Sequence, residues 1–182
     1  TLHTAYAFAI VAGAIVGLIG FWITEKVLIA MKTPSELMAD SVIYLHIYFC
    51  GMIFNIVYNM GASILRAVGD SRRPLYVLIM TCGLNIFFDI MLVVFLKMGV
   101  MGVAIATVSC QGISACMVTW ILIKGNSLFR LKIREIRFYM ASLQSVLRIG
   151  IPAALEATMY TIANLIIQIF VNGLGTDTVA AW

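Results

Sequence analysis

Charge is scarce in this chain. Only 11% of its 182 residues are Asp, Glu, Lys or Arg, while 63% are hydrophobic. A soluble domain carries about 25% charged residues and about half apolar ones. So little charge leaves too little polar surface to coat a fold in water. The ordinary soluble classes are excluded and the chain is placed in a bilayer; its mean hydropathy is +1.05. Histidine is scarcer still. His3 and His46 lie far apart, and Cys50, Cys82, Cys110 and Cys116 form no CxxC pair. No metal site is expected beyond a possible Na⁺. The cysteines, all inside apolar runs, read as buried, reduced packing residues. An initiator Met is missing too, and Thr1–Thr4 has no basic n-region of a signal peptide. The chain stops at Trp182 without a closing segment. We therefore expect a piece of a longer protein.

Five apolar runs are present, approximately Ala5–Ile23, Val42–Leu65, Leu75–Leu96, Val100–Ile123 and Ile149–Val171. Each is about 20 residues, enough for a helix to cross roughly 30 Å of hydrocarbon. A spanning barrel would need alternating strands of about 10 residues. Backbone satisfaction in lipid leaves α-helices. The fold class expected is an all-α polytopic bundle of five transmembrane helices.

Nearly all charge falls between the runs. The second connection holds Arg66, Arg72 and Arg73; the fourth holds Lys124, Arg130, Lys132, Arg134, Arg137 and Arg148. These are nine of the twelve Lys and Arg residues. The positive-inside rule puts both connections, 66–73 and 124–148, in the cytoplasm of a cell-membrane protein. The net charge of +4 comes from these loops, so nucleic-acid binding is not expected. In the fourth connection, Leu128, Phe129, Leu131, Ile133, Ile136, Phe138 and Tyr139 alternate with basic residues. That pattern predicts an amphipathic helix on the cytoplasmic leaflet, or a linker between two bundles. A domain boundary is placed near residue 146, giving 1–146 and 147–182.

Two carboxylates interrupt the runs, Asp89 in the third and Glu156 in the fifth. Charge at membrane depth costs a few kcal/mol on insertion scales and marks function. Asn85 and Asp89 share one helix face by their spacing of four. Thr107, Gln111 and Ser114 form a polar stripe on the next helix. A short connection, Lys97–Gly99, makes these two helices antiparallel neighbours. Asn85, Asp89 and Thr107 can then meet at an oxygen-rich spot suited to Na⁺ or a proton. The plainer reading is an Asp that hydrogen-bonds to another helix. Glu156, Tyr160 and Asn164 make a stripe after Pro152, as cavity lining or as interfacial hydrogen bonding near Arg148. Asn55 and Asn59 either glue helices or line a cavity. Gly13 and Gly17 form a GxxxG that implies close helix packing, and His46 reads as packed or interfacial.

Several of these segments carry a resemblance. Gly61-Ala-Ser-Ile-Leu-Arg-Ala-Val-Gly-Asp-Ser-Arg-Arg-Pro74 resembles the signature that follows the fourth helix of the multidrug and toxic compound extrusion (MATE) family. Asn85-Ile-Phe-Phe-Asp89 and Gly99-Val-Met-Gly-Val-Ala-Ile-Ala-Thr107 are similar to its fifth- and sixth-helix motifs. Gly150-Ile-Pro-Ala-Ala-Leu-Glu156 and Gly173-Leu-Gly-Thr-Asp-Thr-Val-Ala-Ala181 resemble the opening of its second half. The ordered set covers essentially the whole chain.

The resemblance implies helices three to seven of a two-lobed, twelve-helix antiporter. Residues 1–146 would be the second part of the amino-terminal lobe and 147–182 the start of the carboxy-terminal lobe. Such proteins export cationic or amphipathic drugs in exchange for Na⁺ or H⁺. No other cofactor, no enzyme activity, and a monomer at full length are expected. Asn85, Asp89 and Thr107 match the family's cation site. Glu156, Tyr160, Asn164, Asn55, Asn59 and Gln111 are candidates to line the substrate cavity. Some members carry a Glu two turns after the seventh-helix Pro. Tyr160 stands there in this sequence, which favours coupling through the amino-terminal lobe. A lipid-linked oligosaccharide flippase of the same superfamily is the alternative, but no Lys or Arg lies inside a run to hold pyrophosphate. An intramembrane enzyme would need a partner for Asp89, and a fragment with no activity alone is the third alternative.

Overall fold

Glycine and proline set where the helices of this chain start, bend and stop. The computed structural model describes residues 2–30, 35–125, 131 and 139–173, with side chains to 164. Its helices are α1 (Leu2–Ala30), α2 (Ser35–Cys50), α3 (Met52–Ala67), α4 (Arg72–Asp89), α5 (Gly99–Lys124) and α6 (Met140–Gly173). A π-helical segment, Ile90–Phe95, continues α4. No strand occurs among the described residues. Leu2–Ala30, Arg72–Phe95, Gly99–Lys124 and Met140–Asn164 are long and apolar enough to cross a membrane.

The second apolar run differs from the straight span expected over Val42–Leu65. It is two helices bent by 46°. The break lies at Gly51, whose N–H is shared between the Ile47 and Tyr48 carbonyls. A Cβ at Gly51 would lie 2.5 Å from Val108 Cγ2 of α5. The missing side chain lets α5 press into the elbow, so the bent pair follows its surface on both sides. Sequence periodicity does not reveal such a bend, because both halves remain apolar helix.

The turn between α3 and α4 follows the signature residue by residue. Gly69 takes φ +85°, a conformation that carries almost no penalty for glycine. The Gly69 N–H reaches the Arg66 carbonyl and the Asp70 N–H reaches the Leu65 carbonyl. This is a Schellman closure of α3. Asp70 Oδ1 then accepts the Arg73 N–H at 3.1 Å, and its Oδ2 pairs with Arg73 Nε at 3.1 Å. One glycine ends a helix and the next residue begins another.

The chain divides into two compact units, Thr1–Phe138 and Tyr139–Trp182. In the first, α1 packs on α2 and α3, while α5 packs on α2, α3 and α4. Its apolar core gathers Tyr6, Leu65, Val77, Val118, Leu122 and Leu131 at the end that carries Arg66, Arg73 and Lys124. Tyr6 donates its hydroxyl to Thr119 Oγ1, which in turn donates to the Ala115 carbonyl. Gly13 and Gly17 bring α1 into backbone contact as their spacing predicts. A Cβ at Gly13 would sit 2.8 Å from Ile53 Cα, and one at Gly17 2.7 Å from the Phe49 carbonyl oxygen. His46 is packed, stacked on Phe21 with ring centroids 4.1 Å apart.

Two expectations change here. Of the cysteines, Cys110 is buried, whereas Cys50, Cys82 and Cys116 are exposed. Cys50 and Cys82 border cavities between helices, and a thiol is apolar enough to be exposed within a membrane bundle. The expected amphipathic helix around 128–139 lies mostly outside the described residues. Leu131, which falls within it, is buried in the core and donates its N–H to the Leu122 carbonyl at 3.0 Å. The second unit is α6, with Pro152 in its interior rather than its first turn, because the helix begins at Met140, nine residues before the apolar run.

Candidate functional site

The polar residues of α3, α4 and α5 converge on one space. A cavity of about 320 Å³ is lined by Asn55, Tyr58 and Asn59 from α3, by Thr81, Cys82 and Asn85 from α4, and by Thr107, Cys110, Gln111 and Ser114 from α5. Each helix contributes residues three or four apart, so a single face of each looks inward. The predicted stripes of α3, α4 and α5 therefore meet.

Local geometry explains how the polar groups are held. Asn59 Nδ2 donates to the Asn55 carbonyl at 2.9 Å and to Asn55 Oδ1 at 3.0 Å. The two amides are bonded to each other along α3, with no bond from this pair to another helix among the described residues. Thr81 donates to the Val77 carbonyl at 2.9 Å and Ser114 to the Cys110 carbonyl at 2.9 Å. Hydroxyls inside apolar helices satisfy their protons this way. Across the α4–α5 contact, the Cys110 thiol meets the Asn85 side chain. With that pair level in an antiparallel packing, Asp89, one turn further along α4, falls at the level of Thr107, one turn back along α5.

Asp89 stands at the end of α4, one turn past Asn85, where the π-helical segment begins. The Leu96 N–H returns to the Met91 carbonyl at 3.1 Å, the wider i to i+5 pattern. π segments are rare and gather at functional sites. Asp89 Oδ1 is shut off from solvent and has no hydrogen-bond partner among the described residues, and the same is true of Gln111 Oε1. Asp89 lies one turn along α4 from Asn85, which lines the cavity, so the carboxylate stands beside the cavity although not among its lining residues. A bare carboxylate oxygen in a low-dielectric interior is expensive. A cation or proton removes that cost.

The remaining candidates lie apart from this group in the chain. Glu156, Tyr160 and Asn164 belong to α6 in the second unit, on one face of the helix by their spacing of four. Glu156 and Tyr160 are exposed and Asn164 is half-buried. Sequence reasoning missed Cys110 and Cys82. The signal was present for Cys110, three residues after Thr107 and on its face, but a cysteine in an apolar run reads as packing.

A second, apolar cavity of about 500 Å³ lies between α1 and the α2–α3 elbow, lined by Gly13, Gly17, Phe21, Trp22, Phe49 and Ile53 among others. No group of three His, Cys, Asp or Glu residues able to hold a metal ion occurs among the described residues.

Residues 1–91 match the MatE family model. The chain is 31% identical over 166 residues to the probable multidrug resistance protein YpnP of Bacillus subtilis (strain 168), covering 91% of this chain and 37% of that protein. It is 23% identical over 180 residues to the multidrug export protein MepA of Staphylococcus aureus (strain NCTC 8325 / PS 47), covering 97% of this chain and 40% of that one. The chain thus spans about two-fifths of the length of these relatives. Among solved structures it is similar, at TM-score 0.73 and 22% identity, to the inward-facing conformation of a multidrug resistance MATE family transporter of the MOP superfamily, over 81% of this chain and 34% of that one.

Proposed function

The chain belongs to the MatE family, and from this we propose that it carries the cation-coupling part of a multidrug antiporter in the cell membrane. The observation that supports this most is Asp89 Oδ1, buried and bare beside a polar cavity that Asn85 and Thr107 line. Binding Na⁺ or H⁺ at Asp89 removes an unpaired charge from the membrane interior. Occupancy then favours one packing of the lobe over another, and a drug that prefers the other packing is released. The π-helical segment beside Asp89 is an element whose bonding can change locally when the carboxylate is neutralised.

The cargo we propose is a cationic or amphipathic drug. Asn55, Asn59 and Gln111 line its space from this lobe. Glu156, Tyr160 and Asn164 of the second unit are candidate drug contacts by their shared helix face. Residues 1–146 are read as the later part of the amino-terminal lobe and 147–182 as the start of the carboxy-terminal lobe. The division of the chain after Phe138 supports a join in this stretch. Loops 66–73 and 124–148 face the cytoplasm by the positive-inside rule. The Lys124 ammonium, 4.1 Å from the Trp120 ring centroid, supports an interfacial position for that end. At full length the transporter is read as a monomer.

Asp89→Asn in the full-length transporter should abolish drug export while expression and fold are kept. Normal export by that variant would sink the proposal. Reconstituted vesicles with separately imposed Na⁺ and H⁺ gradients then identify the coupling ion, as the gradient that alone drives export.

A further inference from the structure

Several of the donors that line the polar cavity are already spent within their own helices. Thr81 spends its proton on the Val77 and Leu78 carbonyls, Ser114 on the Cys110 carbonyl, and Asn59 on Asn55. Each bond stays within one helix. What these groups still offer to the space between the helices is acceptor capacity. Gln111 is the clearest case. It lines the cavity, yet its Oε1 is buried and receives no hydrogen bond among the described residues. An acceptor stripped of water and left bare is unfavourable until something donates to it. A ligand that brings its own N–H gains from this oxygen; one without a donor does not.

We infer that Gln111 determines specificity by accepting, through Oε1, a hydrogen bond from an organic cation that bears N–H groups. Gln111 lies one helical turn, about 6 Å along the axis, beyond Thr107 towards the basic end of α5. The drug contact and the cation site are therefore neighbours without being the same group. This inference rests on the reading of the cavity as substrate space, but not on which ion couples at Asp89. Discrimination arises because a buried group built to be hydrogen-bonded is left unpaired by the wrong ligand.

The test uses the purified full-length transporter and two lipophilic cations. Ethidium carries aromatic amino groups; tetraphenylphosphonium carries no N–H or O–H. Binding in detergent is measured by ethidium fluorescence and by equilibrium dialysis for tetraphenylphosphonium, with no ion gradient. Gln111→Leu should weaken ethidium binding about tenfold, the worth of one buried hydrogen bond, and leave tetraphenylphosphonium within about twofold. Gln111→Glu, which keeps an acceptor, should bind ethidium at least as tightly as the parent protein. Equal weakening of both cations by Gln111→Leu, or unchanged ethidium binding, overturns the inference. A parent protein that binds neither cation overturns the cavity reading with it. If Asp89→Asn still exports drug while the ethidium preference at Gln111 holds, only the coupling proposal fails.

Discussion

Two cavities flank α3, and they are built from opposite materials. On the α1 side the walls are Gly13, Gly17, Phe49 and Ile53. Helices there approach until a single added Cβ would meet backbone at 2.7–2.8 Å. On the α4–α5 side the walls are Asn55, Asn59, Asn85, Thr107 and Gln111, and the buried oxygens Gln111 Oε1 and Asp89 Oδ1 lack partners among the described residues. The same helix contributes Ile53 to one and Asn55 to the other, two residues apart. In lipid there is no hydrophobic force between helices, so the glycine side holds the bundle by close contact. The polar side tolerates unsatisfied groups because the glycine side supplies the stability. One side is built for packing, the other for binding.

Substitutions that separate these two roles make the comparison testable. The largest effect is expected at Gly17→Val. The new side chain meets the Phe49 carbonyl, which as backbone cannot step aside, and overpacking of this kind costs about 3 kcal/mol. Thermal stability followed by size-exclusion chromatography should fall sharply. A protein that melts like the parent would mean that the glycine side does not hold the bundle. Asp89→Asn is expected to be the mirror image. Export should drop at least about a hundredfold, equivalent to about 2.7 kcal/mol, with the melting temperature unchanged or raised, since a buried charge has been removed. A variant that loses both fold and export would blur the distinction.

The double variant Asn55→Leu/Asn59→Leu removes both members of a bonded pair and leaves no orphan. Its stability should change by less than about 1 kcal/mol, while uptake of ethidium into inverted vesicles falls about tenfold. The smallest effect concerns the core at the basic end. Tyr6→Phe deletes the hydrogen bond to Thr119 and should cost about 1 kcal/mol. Thr119 keeps its bond to Ala115, so export per folded molecule should stay unchanged.

Much of the helical layout was legible in advance. The GxxxG at Gly13 and Gly17 announced close packing, and Gly69-Asp70 announced a turn. Both effects are local, set by a missing Cβ or by backbone conformation. The candidate residues Asn55, Asn59, Asn85, Thr107 and Gln111 were legible as stripes, because a spacing of four fixes a helix face. The bend at Gly51 was not legible, since it depends on Val108, far away in sequence. The partnering of Cys110 with Asn85 was hidden for the same reason, and so was the exposure of three cysteines. The expected boundary of α6 was late because Met140, Ala141, Leu143, Gln144, Leu147 and Arg148 are good helix formers, while the interspersed polar residues kept them out of the apolar run.

By itself, then, the sequence determined that this protein is a set of membrane helices with basic ends and two intramembrane carboxylates. Composition and periodicity are properties of the chain, and bilayer physics acts on them directly. Tertiary structure alone decided that three polar stripes share one cavity and that Asp89 and Gln111 each keep a bare oxygen beside it. Whether a buried polar group is satisfied depends on which helix faces it and at what register. Glycine contacts elsewhere in the bundle, at Gly13, Gly17 and Gly51, set that register.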